Sequence, residues 1–251
     1  MSEPITKILT LNIRYPEVED GVNFWPNRAR IVHDFIDEAD ADIVCLQEVR
    51  PSVKEEFIKN HSKYSFWGDF RFVPPREYDE TTLIGFKNDR YELIEGCRRW
   101  LSSTPDVPES KYIPDTFWPR IYVELKLLER ASCRKFYVIN THFELDDYSV
   151  AQSFKQLQAR ARELTDLGYA VLLAGDLNRE YEFLSSVDDG TLYDLTSSVP
   201  YTYHAYGKTK AKIDYIFSNS YKEALCVELV EKVEDEKFIS DHFPIICEIM
   251  L

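Results

Sequence analysis

The chain has 251 residues, 44% hydrophobic and 29% charged, with only 8 Gly and 12 Pro; this excludes a disordered or fibrous polymer and leaves one large domain or two small ones. Lys and Arg total 30 against 44 Asp and Glu, and the charge of −14 disfavours broad capture of duplex nucleic acid unless a local patch or bound cation offsets it. Met1-Ser2-Glu3-Pro4 leads straight into the apolar run Ile8 to Ile13, with no basic n-region, no apolar h-region and no span near ~18 apolar residues, so a cytoplasmic chain without leader or membrane anchor is expected.

In chain order, KILTLNIR (7–14) reads as a strand, and Pro26 to Ala39 as a helix with Ile31, Val32, Phe35, Ile36 and Ala39 at helical spacing. DIVCLQEV (42–49) is the next strand. Ser52 and Glu55 then form a capping-box signature ahead of Phe57 and Ile58. TTLIGFK (81–87) and YELIEGC (91–97) flank Lys87-Asn88-Asp89-Arg90, which reads as a tight hairpin turn because Asn and Asp tolerate positive φ. IYVELKLL (121–128) alternates, with Ile121, Val123, Leu125 and Leu127 on one face and Glu124 and Lys126 on the other, as a half-exposed strand does. After KFYVINTHF (135–143), a long helix starts near Ser149 with Gln152 three residues on, buries Phe154, Leu157, Ala161 and Leu164, and stops at Gly168. YAVLLAGD (169–176), KIDYIFSN (212–219) and FPIICEIML (243–251) complete the strands.

This order predicts mixed sheets covered by helices, and with no repeat and no Gly/Ser-rich linker a single domain over 1–251 is the simpler expectation. Two long connections, Phe66 to Glu80 and Trp100 to Pro119, are rich in aromatics and proline; they either wall a substrate site or cover a core edge. Cys45, Cys97, Cys133, Cys226 and Cys247 are odd in number, widely spaced and mostly inside apolar runs, which suits reduced core thiols rather than a disulfide framework or zinc knuckle.

Polar residues recur where apolar strands end: Asn12, Gln47 and Glu48, His142, Asp176 and Asn178, Asp214, and Asp241 with His242 ahead of FPIICEI. Strand ends lying side by side would gather these groups in one pocket. Oxygen-rich clusters of this kind suit Mg²⁺, or Mn²⁺ in its place, and the lack of paired Cys or of two His at helical spacing argues against zinc. A hard cation among imidazoles and amides fits phosphate, whose hydrolysis needs neutralised non-bridging oxygens, an oriented water and help for the departing oxygen. Ser240-Asp241-His242 is no nucleophile relay, since neighbours on an extended chain point to opposite sides.

The ordered series LNIR, LQEV, NTHFE, GDLN, KIDYIF and SDHFP, spanning residues 8 to 248, resembles the endonuclease/exonuclease/phosphatase superfamily of DNase I-like metallohydrolases. NFWPNRA, WLSSTPDVP and YTYHAYG are most similar to its compact microbial members. The resemblance implies an α+β fold, a four-layer α/β/β/α sandwich of two mixed sheets flanked by helices. It also implies Glu48 as a metal ligand, Asn12 as a partner of phosphate or metal, and Asp241 as a metal or water ligand. Asp176 would orient or deprotonate the attacking water, and Asn178 would hold that carboxylate or a phosphate oxygen. His142 and His242 would contact the scissile phosphate, with Asp214 fixing the tautomer of His242.

Where several relatives carry an acid two residues after the first motif's Asn, this chain has Arg14, which favours a single cation and adds a phosphate-neutralising group. Arg120 is either a phosphate clamp or a surface ion pair, and His204 either a substrate contact or an aromatic core neighbour. His33 and His61, within and at the end of helices, are expected to be structural or solvated. The function expected is hydrolysis of a phosphate ester, foremost a phosphodiester. A nuclease using the basic strip Lys208, Lys210 and Lys212 is the alternative, and a catalytically silent binding module a remote one.

Overall fold

The computed structural model describes residues 5–251. The expectation about Met1 to Pro4 lies outside the described residues; within them no helix is long and apolar enough to cross a membrane.

The chain runs β1 (Ile5–Asn12), α1 (Trp25–Ala39), β2 (Ile43–Val49), α2 (Pro51–Asn60), β3 (Tyr64–Trp67), β4 (Thr81–Lys87), β5 (Tyr91–Trp100), β6 (Ile121–Glu129), β7 (Lys135–His142), α3 (Asp147–Asp166), β8 (Ala170–Asp176) and α4 (Tyr181–Ser185). It continues through β9 (Tyr193–Asp194), β10 (Asp214–Ser218), β11 (Cys226–Leu229), β12 (Val233–Glu234), β13 (Lys237–Phe238) and β14 (Ile245–Met250). Two six-stranded sheets form, ordered β11-β14-β1-β2-β4-β3 and β5-β6-β7-β8-β10-β9. Each is antiparallel except for one parallel pair, β1 with β2 and β7 with β8, and each of those pairs is joined by a helix, α1 or α3.

Period-2 alternation assigns the two faces of the central strands to different cores. Ile8, Ile43, Cys45 and Ile84 of the first sheet meet Val123, Leu125, Val138, Leu172 and Ile216 of the second in the central layer. Leu9, Leu11, Val44 and Leu46 face outward onto Ile31, Phe35, Val53 and Phe57 of α1 and α2. Ile139, Val171 and Leu173 do the same beneath Phe154, Leu157, Ala161 and Leu164 of α3. The expected four-layer α/β/β/α sandwich is therefore the observed one.

Several local expectations are corrected. Lys87 to Arg90 is not a hairpin: β4 pairs with β2 and β3, β5 pairs with β6, and the turn carries the chain from one sheet to the other without positive φ at Asn88 or Asp89. The Ser52–Glu55 box does not form, because Pro51 opens α2 with its fixed φ and Arg50 stands at the cap without a side-chain bond. The cap of α3 is Asp146, whose Oδ1 accepts the Ser149 N–H at 2.7 Å, so the helix begins two residues before Ser149. β6 is covered on both faces, since Arg160 of α3 reaches over it and donates twice to Glu124, at 2.7 and 2.9 Å. All five cysteines are free, but only Cys45 and Cys247 are core thiols; Cys133 sits in the exposed β6–β7 turn and Cys226 on the edge strand β11.

One glycine is dictated by the fold. Gly175, with φ +146°, lies so near β7 that an added Cβ would stand 2.1 Å from the Thr141 carbonyl oxygen. The backbone can then bring Asp176 level with His142 across the parallel pair and with Asp214 on β10.

Candidate active site

The parallel pairs of both sheets end at the same rim. There a cleft of about 910 Å³ opens, lined among others by Arg14, Glu48, Glu80, Arg120, His142, Asp176, Asn178, Tyr203, Asp241 and His242. Its floor joins the two sheets. Asn12 Nδ2, from the end of β1, donates to Glu48 Oε1 and to Asp176 Oδ2, each at 3.0 Å, while its Oδ1 accepts the Arg14 N–H at 2.9 Å. Beneath it, Gln47 Nε2 donates to Asn140 Oδ1 at 2.8 Å, so Gln47 ties the sheets together in the core rather than facing the cleft. Glu48 sits at a register break between β2 and β4, and its Oε2 accepts the Tyr15 N–H at 2.8 Å. Arg14, Glu48 and Asn178 all adopt left-handed backbone, with φ of 56°, 60° and 54°. Such conformations are sustained only where surrounding bonds enforce them.

Asp176 is the centre of the arrangement. Its Oδ1 accepts the backbone N–H of Asn178 at 2.9 Å, and its Oδ2 lies 3.7 Å from His142 Nε2 and 3.8 Å from His242 Nε2. Asn178 thus holds the carboxylate through its main chain, while its side-chain amide donates to the Phe143 carbonyl at 2.9 Å. His242 Nδ1 is 2.8 Å from Asp214 Oδ2, which also accepts from Thr202 Oγ1 at 2.5 Å. Burial alone would discharge this imidazole, but Asp214, Asp176 and Asp241 outweigh it and push it up to about 10, so it holds its proton at neutral pH.

His142 has an acid the sequence reading missed. Glu80 Oε1 lies 3.5 Å from His142 Nδ1, accepts from Arg71 at 2.7 Å and is 3.5 Å from Arg120. Burial would raise this carboxyl, yet Arg71, His142 and Arg120 together hold it well below the usual carboxylate range. A signal existed: Glu80 is a polar residue at a strand border, at the start of β4, and because β4 runs antiparallel to β2 that start lies at the same rim. The two long connections supply Arg71, Tyr78, Phe117 and Trp118 to the cleft, and Trp100 locks them together by donating to the Arg71 carbonyl at 2.9 Å. They wall the site.

Arg120 lines the cleft between Glu80 and Glu144, so its ion pairs lie within the wall rather than on an open surface. Arg14 is held by Asp20 at 3.2 Å and Asp241 at 3.7 Å. Burial works against its charge, but Asp241 and Asp20 raise it further above its ordinary value. His204 is not brought to the cleft. It is buried and stacks on Phe243 at 3.9 Å, and burial pulls it down to about 4, so it is an uncharged core ring. The basic strip also turns away: Lys212 donates to Asp194 at 2.6 Å and Lys210 lies over Tyr201 at 4.0 Å. His33 and His61 form a structural pair 2.8 Å apart between α1 and α2.

A hard divalent cation fits the Glu48 wall. Carboxylate oxygens of Glu48 and Asp176 converge on one amide from opposite sheets, and Asp241 lines the same cleft; like charges held this close favour a cation between them. Asp176, Asp214 and His242 also bring one ligand atom each within 4.8 Å of one another, with His242 Nδ1 already committed to Asp214.

An uncharacterised protein of Acanthamoeba polyphaga mimivirus is 26% identical to this chain over 219 residues, covering 84% of it and 80% of the viral protein. The crystal structure of an endonuclease/exonuclease/phosphatase from Bacteroides vulgatus superposes with a TM-score of 0.85 at 25% identity, covering 98% of each chain. The mannosyl-6-phosphatase Bt3783 of Bacteroides thetaiotaomicron superposes at 0.83 with 21% identity, covering 97% of this chain and 99% of its own. The Endonuclease/Exonuclease/phosphatase family model matches residues 9–242 with the strand-end residues in its span, and the chain belongs to that family of phosphoester hydrolases.

Proposed function

We propose that the chain, acting as one domain, is a divalent-cation-dependent hydrolase of small phosphate esters, foremost phosphodiesters, that works by in-line attack of water without a covalent intermediate. The observation that carries this reading is the position of Asp176 Oδ2, an acceptor oxygen flanked by His142 Nε2 at 3.7 Å and His242 Nε2 at 3.8 Å and steadied by Asn12 at 3.0 Å. Those distances leave a slot in which a water and a phosphate contact the same carboxylate and its two imidazoles.

Asp176 takes the proton of the attacking water, and the Asn178 N–H on its other oxygen fixes the direction of that oxygen. His242, kept charged by Asp214, donates to the phosphate, and His142, steadied by Glu80, donates from the opposite side. Glu48, with Asn12 and Asp241, would hold Mg²⁺, or Mn²⁺ in its place. The cation supplies neutralisation of the charge on the non-bridging oxygens. Arg14 and Arg120 line the approach and complement the charge of the ester.

Nucleic acid is the weaker reading because two of the three lysines of the basic strip are committed to Asp194 and Tyr201 outside the cleft. Hydrolysis of bis(p-nitrophenyl) phosphate is expected with Mg²⁺, to vanish in EDTA and to return when Mg²⁺ is restored. A rate indifferent to chelation and to Asp176→Asn would end the proposal, and steep loss of activity between low and moderate salt would move it to a nuclease.

A further inference from the structure

Tyr203 has a phenol with no acceptor among the described residues. Its backbone is fixed, since its N–H and carbonyl both bond to Ala211 at 3.0 Å and it bridges His242. Its ring lies 4.9 Å from the His242 imidazole at a 54° tilt. It lines the cleft with Arg14, Glu48, Asp176 and Asp241, and Asp241, Arg14, Asp176 and Glu48 are also the charges its hydroxyl feels. Tyr15 and Tyr78 also line the cleft, but Arg14 and Arg50 lie over the Tyr15 ring and Tyr78 is exposed, so among the described residues Tyr203 is the cleft tyrosine whose ring packs on a site histidine. Tyr206 donates to Asp20 at 2.8 Å, and Tyr215 to the Arg179 and Lys212 carbonyls at 3.0 Å each. The polar groups of the floor likewise bond to one another.

A phenolic donor held rigidly against the His242 imidazole, in the cleft that Arg14 also lines, is placed to meet an anionic oxygen there. On the hydrolase reading above, we propose that Tyr203 is a further catalytic residue, donating its phenolic hydrogen to a non-bridging oxygen of the substrate phosphate alongside His242 and Arg14.

The test compares wild type with Tyr203→Phe, which removes only the hydroxyl. The melting temperature is expected to be unchanged, because that hydroxyl has no partner among the described residues to lose. With Mg²⁺ present, kcat/KM is expected to fall about 10- to 100-fold, the range for a hydrogen bond to a charged group, to the same extent for aryl and alkyl phosphodiesters. Affinity for inorganic phosphate, measured by calorimetry, is expected to weaken at least about fivefold. Rates and phosphate affinity both within twofold of wild type would overturn the assignment. A loss confined to alkyl esters would also overturn it, moving the hydroxyl to the leaving oxygen, and a lower melting temperature would reduce it to packing. An inactive wild type would sink the hydrolase reading, while the phosphate titrations would still decide whether Tyr203 touches the anion.

Discussion

The His242–Asp214 pair at the cleft and the His33–His61 pair between helices differ in what faces the ring. At the cleft, His242 Nδ1 meets Asp214 at 2.8 Å, and the imidazole is pushed up to about 10 despite its burial. Between α1 and α2, His33 Nδ1 meets His61 Nε2 at 2.8 Å, His61 Nδ1 reaches Asp37 at 3.1 Å, and burial together with the charge of His61 lowers His33 below its ordinary value. Three carboxylates around the His242 ring outweigh its burial, whereas in the other pair ring nitrogen meets ring nitrogen, and Glu56, at 3.7 Å from His33, does not offset the burial of that ring. Burial works against the charge of His242 and of His33 alike, and it is the carboxylates around His242 that reverse it.

That contrast can be broken in order of expected size. Asp176→Asn removes the oxygen that both cleft histidines approach and should lower kcat about 10³-fold with the fold retained; initial rates above a tenth of wild type would defeat the assignment. Asp214→Asn should cost about 10²-fold. In EDTA, the His242 resonance should then titrate far below about 10, and an unmoved midpoint would mean that Asp214 is not what holds the charge.

His33→Phe should leave kcat within about twofold but cost about 1–3 kcal/mol near neutral pH, because His61 Nε2 loses its buried partner. The pH dependence has a definite sign. The folded value of His33 lies below the unfolded 6.5, so its contribution is present above that pH and is lost as pH falls through 6.5 toward the folded value. His242, raised to about 10, contributes fully below 6.5 and loses its contribution as pH climbs toward 10. Urea unfolding of His33→Phe across the acid range should show a flatter acid limb than wild type, and an identical limb would refute the structural role. The smallest effect is expected at Lys210→Ala, with activity on a small diester within about twofold at low and moderate salt.

The strands were legible because apolar runs and alternation respond to local burial, and TTLIGFK and Ile121 to Leu127 fall on β4 and β6. The candidate site was legible for the same reason: a carboxylate or imidazole where an apolar run stops marks the core's edge, and Asn12, Glu48, His142, Asp176, Asp214 and His242 do meet there. What could not be read was partnership at a distance. Lys87 to Arg90 has the composition of a hairpin, but which sheet accepts the next strand depends on β6, thirty residues on. His204 and Lys212 carry the same chemistry as site residues and were separated from them only by Phe243 and Asp194, which pack against them in three dimensions. Glu80 closes a long connection, and its contacts with Arg71, Arg120 and His142 arise only in three dimensions.

The crossing at Lys87 to Arg90 also splits the site between two stretches of chain, which β14 rejoins by pairing with β1. It is a turn between the sheets, and on the amino-terminal side of it lie Asn12 and Glu48, on the other His142, Asp176 and His242. A chain nicked between Asn88 and Asp89 would therefore give two inert fragments, and recovered turnover would measure their reassembly, turning the enzyme into its own reporter of association.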